Sequence, residues 1–212
     1  MKNKKLLFGG IASGLLLIVV FMIPIIFSSG TPLTSVQKAY KIYDSDASRE
    51  IFCQGSKDPY ECEKDPNVQL LSTALGICST DKINQKTLMD MALPRNNKHR
   101  KNTAAKGSKI IKNCYERIVV KKDDVLGKRA FVVNKFYEAL TKDLCAKTEN
   151  PKECMSPHPF MNDTARMIQI RSLAFALCLD SKDYIKAKDN KKEKIFNECD
   201  HEVLEELKAE ID

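Results

Sequence analysis

Two stretches of ten residues, CQGSKDPYEC at 53–62 and CAKTENPKEC at 145–154, share Cys, Pro, Glu and Cys at matching offsets, although most other positions differ. The similarity continues along the chain. ALGIC at 74–78 corresponds to AFALC at 174–178, and KIIKNC at 109–114 corresponds to KIFNEC at 194–199. Anchors that recur in the same order indicate an internal repeat. The sequence therefore predicts two related units, at 35–122 and 128–212.

Helical periodicity dominates both units. Val36, Tyr40, Tyr43, Ala47 and Ile51 follow one another at steps of three or four, which is the spacing of one helix face. The run SLAFALCL at 172–179 is apolar nearly all round and predicts a buried helix, with Asn162 and Asp163 as N-cap candidates. We expect an all-α fold with three helices in each unit: one ends at the first cysteine, one carries the third and one carries the fourth.

All eight cysteines lie in the two units, which predicts a disulfide framework outside the cytoplasm. Residues that face each other across an antiparallel hairpin lie about equally far from its turn. On that basis we expect the pairs Cys53–Cys62, Cys78–Cys114, Cys145–Cys154 and Cys178–Cys199. The chain contains no Cys-x-x-Cys, so neither a metal site nor a cofactor is predicted.

The N-terminus predicts a membrane anchor. Lys2, Lys4 and Lys5 precede an uncharged apolar run of 22 residues at 6–27, and about 20 residues suffice to cross a bilayer. The positive-inside rule then places residues 1–5 in the cytoplasm and the head, which follows a short linker at 28–34, outside it. We expect a single-pass protein of the inner membrane with a periplasmic head. The alternative is a cleaved signal peptide with Ser28 and Gly30 at its cleavage site.

Within the apolar run, Gly10 and Gly14 form a GxxxG motif. This motif would allow two such helices to pack closely as a homodimer. The alternative is that glycine is simply frequent in membrane helices.

A basic stretch is the main insertion of the first unit. Residues 91–115 contain no Asp or Glu but seven Lys and Arg residues, and the formal net charge of the whole chain is only +7. We expect this loop to bind an anionic partner, either an envelope protein or another anionic envelope component. The alternative is a mobile, solubilising loop. Nucleic acid is not expected, because no aromatic residue lies between Lys82 and Asn113 to stack on bases. The candidate contact residues are Arg95, Lys98, His99, Arg100, Lys101 and Lys106.

No catalytic motif is found, so an enzyme is not the first interpretation. The carboxylates of the C-terminal helix, Glu202, Glu205, Glu206 and Glu210, are expected to form a solvated face. The sequence favours a membrane-anchored extracytoplasmic binding protein, such as an inhibitor or an immunity-type factor. Two alternatives remain: a structural subunit of an envelope or secretion assembly, and an enzyme that acts on the cell wall.

Overall fold

The computed structural model describes residues 30–43, 51–94, 96–155 and 163–211 of the 212-residue chain. These residues form helices and connections, with one isolated antiparallel bridge between Pro32 and Asn84, so the predicted all-α class is confirmed. The predicted membrane segment with Gly10 and Gly14 lies outside the described residues, and so does Asn162. Within the described ranges, no helix is both long enough and apolar enough to cross a membrane.

The first unit begins with a helix that caps itself. The backbone N–H of Gln37 donates to Thr34 Oγ1 at 3.2 Å, and the backbone N–H of Thr34 donates to Gln37 Oε1 at 3.3 Å, which is a capping box. The predicted first helix is described as far as Tyr43 and is helical again at 51–53, whereas 44–50 lie outside the described residues. The elements of this unit are α1 (Ser35–Tyr43), α2 (Pro59–Lys64), α3 (Pro66–Thr80), α4 (Gln85–Ala92), α5 (Lys98–Tyr115) and a π-helix (Glu116–Val120).

The second unit repeats this order without a counterpart of α4. Its elements are α6 (Asp124–Cys145), α7 (Pro151–Met155), α8 (Asp163–Ser181), a 3₁₀ turn (Tyr184–Lys186) and α9 (Asp189–Ile211). The first of its three predicted helices, α6, ends at Cys145, while α8 and α9 carry the third and fourth cysteines.

The repeated ten-residue stretch does not only connect two longer helices. In both units its proline begins a short helix, α2 at Pro59 and α7 at Pro151. Proline suits the first position of a helix because its missing N–H would have no partner there. In α2 the cap is completed by Asp58, whose Oδ1 accepts the backbone N–H of Glu61 at 3.1 Å.

The four predicted disulfides are all present, and no cysteine is free among the described residues. Each bridge stays within its own unit. Two of them close the repeated stretch across nine positions. The other two fasten the last helix of each unit to the helix before it: Cys78–Cys114 joins α5 to α3, and Cys178–Cys199 joins α9 to α8.

The two units share one main core. Helix α1 packs on α3 of its own unit and on α8 of the second unit, while α6 packs on α8 of its own unit and on α3 of the first. These four helices therefore form a ring of neighbours, as in a four-helix bundle. The last helices, α5 and α9, lie outside the ring against α3 and α8. The core draws side chains from both units, among them Val36, Ile77, Val133, Ile170 and Val203.

A charged cluster joins the ring at one end, called the entry end below. The guanidinium of Arg129 donates to Asp180 at 2.9 Å and to Asp81 at 2.9 Å, while Lys38 Nζ lies 2.9 Å from the other oxygen of Asp81. Burial alone would raise the pKa of Asp81, but the hydrogen bonds and charges of Lys38 and Arg129 outweigh it and hold the pKa below 3.8. The start of α1, the end of α3, the start of α6 and the end of α8 are thus held together.

Helices α1 and α3 approach each other closely at Gly76. A Cβ atom at this position would lie 2.8 Å from Ile42 Cγ1 and 3.1 Å from Cγ2, distances that real Cβ atoms rarely tolerate. Ile42 branches at Cβ and has little freedom to yield. Glycine therefore sets the spacing between the two helices.

We expect Gly76→Ala to lower the free energy of unfolding by about 1–2 kcal/mol, since overpacking outweighs the helix propensity gained from alanine. Gly107→Ala in α5 is the matched control, because a Cβ there meets no heavy atom within 4 Å. In this control the free energy of unfolding should instead rise by about 0.5–1 kcal/mol. Urea unfolding of both variants measures the difference, and equal shifts would contradict the close approach.

Candidate binding surface on helix α5

Most of the basic stretch is helix α5 and not the loop that the sequence predicted, and α5 forms a hairpin with α4. Helix α5 starts at an N-cap, where Asn97 Oδ1 accepts the backbone N–H of His99 at 2.9 Å. Arg100 Nη1 donates to the carbonyl oxygen of Leu93 at 2.7 Å, and Thr103 Oγ1 lies 3.3 Å from Asp90 of α4. These contacts tie α5 to α4, and the Cys78–Cys114 bridge ties it to α3.

Four lysines form a straight stripe on the outer side of α5, called the lysine face below. All four are exposed: Lys98, Lys101, Lys109 and Lys112. The last three follow Lys98 by 3, 11 and 14 positions, which places all four on one side of a helix. At 1.5 Å per residue the stripe is about 21 Å long. The opposite side of α5 is buried at Thr103, Gly107 and Cys114.

Five of the six residues predicted from the sequence to contact a partner are described, and they fall into three groups. Lys98 and Lys101 belong to the lysine face, whereas His99 and Lys106 are exposed a quarter turn or more away from it. Arg100 is half-buried and holds the α4–α5 connection, so it does not belong to the exposed surface. Arg95 lies outside the described residues. The predicted set also left out Lys109 and Lys112, which helical spacing would have added had the stretch been taken as a helix.

The lysine face differs from the corresponding helix of the second unit. Helix α5 carries six cations and no acid, and none of the lysines of the face forms an ion pair with any residue that the structure describes. Helix α9 carries eight acids and four lysines, but many of its charges are paired. Lys182 Nζ lies 2.9 Å from Glu202, and Arg171 lies 3.0 Å from Asp200. Equivalent helices therefore present an unneutralised cationic surface in one unit and a largely neutralised surface in the other.

The expectation of a solvated carboxylate face on α9 is wrong in part. Glu206 is half-buried, and its Oε2 accepts the backbone N–H of Val36 at 2.9 Å. Burial raises the pKa of Glu206 above 4.5, and the backbone hydrogen bonds from Val36 and Ser35 only partly oppose that effect. Glu210 also contacts α1, because it accepts from Gln37 Nε2 at 3.1 Å. The end of α9 thus caps the start of α1.

A cleft of about 220 Å³ lies between α6, α8 and α9. Phe175 and Phe196 contribute to its apolar lining. Their rings contact each other edge to face, with the ring centroids 4.9 Å apart. Its charged side chains form ion pairs with one another, among them Arg171 with Asp200. Among the residues that the structure describes, no group of His, Cys, Asp or Glu is placed to hold a metal ion.

Comparison of the chain with protein-family models, with curated proteins and with solved structures gives no match.

Proposed function

We propose that this protein is a membrane-tethered binding protein whose head, outside the cytoplasm, binds an acidic protein partner through the lysine face of α5. The unneutralised lysine face carries the proposal. Lysines that serve only stability or solubility are expected to be paired or scattered, as they are on α9. Here they are aligned, and none of the four forms an ion pair with a residue that the structure describes.

The attachment of α5 suits a binding surface. A disulfide, an arginine contact to Leu93 and the contact of Thr103 with Asp90 all act on one helix of 18 residues. A helix that is already fixed loses little conformational freedom on association, which favours affinity. Aligned ammonium groups add electrostatic steering, which raises the association rate and weakens as salt increases.

An acidic protein surface fits this arrangement better than nucleic acid does. The lysines sit on a single straight face about 21 Å long, which matches the length of a short acidic helix or strand. Nucleic-acid binders usually add aromatic residues that stack on bases, and the exposed side of α5 has none between Lys98 and Lys112.

The test compares three forms of the full chain in its native membrane. One form is unchanged, and one carries Gln at Lys98, Lys101, Lys109 and Lys112. The matched control carries Gln at four exposed lysines that have ion pairs within the head, so its net charge changes equally. These are Lys147, Lys186, Lys194 and Lys208.

We expect the amount of cross-linked protein partner to fall at least tenfold in the lysine-face variant and to stay unchanged in the control. Four charge contacts of about 0.5 kcal/mol each sum to about 2 kcal/mol, which is more than a tenfold change in affinity requires. Binding of the unchanged chain should weaken with added salt, and the variant should lose that dependence. Equal capture by all three forms would overturn the proposal. Capture of nucleic acid in place of protein would overturn the choice of partner.

A further inference from the structure

The entry end of the bundle is where the N-terminal chain joins the head. The carbonyl oxygen of Thr31 accepts the backbone N–H of Gln85 at 3.1 Å, and Pro32 forms the isolated bridge with Asn84. Leu33 follows and is 5% exposed. Residues 31–33 are therefore fixed against the connection that leaves α3, at the end of the ring that the Arg129 cluster marks.

Covalent geometry limits how far this end can stand from the apolar run. The run ends at residue 27, and the described part of the chain begins at Gly30. Three residues extend over about 11 Å at most. The headgroup layer on each side of the hydrocarbon core is only about 5–8 Å thick. A run that spans the bilayer would therefore hold the entry end at the membrane surface.

Exposed valines lie at the same end. Val120 and Val125 are each 67% exposed and flank the connection between the units, next to the Asp123 cap that begins α6. Single exposed apolar residues are common on protein surfaces. These two, however, lie at the same end of the bundle as the point of attachment. Phe131, which is 53% exposed, lies further along α6 and on another side of that helix.

Lysines lie close in sequence to these apolar side chains, and two of them, Lys121 and Lys128, are paired with acids. Lys135 Nζ lies 5.6 Å from the centre of the Phe131 ring. Lys122 is exposed and has no ion pair with any described residue, whereas Lys121 is paired with Glu116. Apolar side chains beside long cationic ones suit a bilayer surface, where the apolar groups enter the interface and the ammonium groups reach lipid phosphates.

We propose that the head stands on an anionic bilayer surface through its entry end, with Val120 and Val125 in contact with the lipid. The inference rests on the membrane tether of the proposed function. It adds an orientation, because α6 runs away from this end for 22 residues, about 33 Å. The Cys145–Cys154 bridge and Met155 then lie at the far end of the head.

The chain contains no tryptophan, so a single introduced one reports its own surroundings. Val125→Trp and, as a second position, Val120→Trp probe the entry end. Met155→Trp is the matched control, since Met155 is also exposed, at 46%, but lies beyond the far end of α6. Each full chain is reconstituted in vesicles of phosphatidylcholine and phosphatidylglycerol whose acyl chains carry bromine, and quenching of the tryptophan fluorescence is measured.

We expect several-fold stronger quenching at residues 125 and 120 than at 155. Flotation of the vesicles after an alkaline wash separates the two proposals. A chain that fails to float lacks the tether, and this inference falls with it. A chain that floats with equal or weaker quenching at residues 125 and 120 retains the tether but overturns the orientation. Tryptophan emission at residue 125 that shifts to the blue with protein concentration, without quenching, would assign the surface to a second copy and overturn it as well.

Discussion

Replacing both Cys78 and Cys114 by alanine should lower the free energy of unfolding by about 4 kcal/mol, the largest loss expected for any bridge. The chain-entropy model gives this value for the 36 positions that the bridge closes, because a longer loop restricts the unfolded chain more. The Cys53–Cys62 bridge closes nine positions, so replacing both of its cysteines should lower the free energy of unfolding by about 2.5 kcal/mol. Urea unfolding of the full chain in one detergent, followed by circular dichroism, measures both.

The order of the two losses is the decisive result. Both double variants remove the same atoms from the same kind of bridge. The difference between their losses of unfolding free energy therefore reflects the length of the closed loop and the attachment of α5. We also expect the Cys78/Cys114 variant to bind its partner less tightly, since the lysine face is no longer fixed to α3. A smaller loss for this pair than for Cys53/Cys62 would contradict the role of the bridge in holding the outer helix.

Arg129→Met should lower the free energy of unfolding by about 2–3 kcal/mol. The substitution leaves the carboxylate of Asp180 without its cation, and the Asp180 side chain is only 11% exposed. Lys128→Met is the neighbouring control. Lys128 pairs with Asp124 at the surface, where both side chains are more than three-quarters exposed, so we expect a much smaller change than for Arg129→Met. Thermal and urea unfolding at neutral pH give the comparison. Equal losses would show that the cluster contributes no more than a surface pair.

The same variant should alter unfolding in acid. The folded pKa of Asp81 is lowered, so its contribution is present above the unfolded value of 3.8 and is lost as the pH falls through the folded value. Arg129 is one of the two cations that lower this pKa. Without Arg129, the pKa values of Asp81 in the folded and unfolded states lie closer together. The contribution of Asp81 to stability at neutral pH therefore becomes smaller. The unfolding free energy of the variant should therefore fall less steeply below pH 4.

The features that the sequence predicted correctly are mostly local in the chain. The pairing of Cys178 with Cys199 follows from the symmetry of one hairpin, and the buried helix α8 follows from its continuous apolar run. The arrangement of the ring could not be predicted, because nothing in the spacing of Val36 indicates that it packs against helices of the other unit. The contact of Arg129 with Asp180 is equally non-local.

The basic stretch was predicted as a loop, whereas most of it is helix α5. Asn102, Gly107 and Asn113 are weak helix formers, and they led to a loop assignment for a segment that a disulfide and tertiary packing hold as a helix. The half-buried position of Arg100 was missed for a related reason. Its donation to Leu93 depends on α4, a helix that has no counterpart in the second unit and so left no trace in the repeat.

The interleaved ring makes the two units depend on each other. A single unit would leave uncovered the sides of α1 and α3 that here meet α8 and α6. An identical copy, rotated by a half turn, could cover both sides at once, since each first helix would pack on the middle helix of the other copy. Two-fold pairing of this kind is the commonest way in which identical chains associate. Neither unit therefore covers the sides of its own ring helices without the other unit or a second copy of itself.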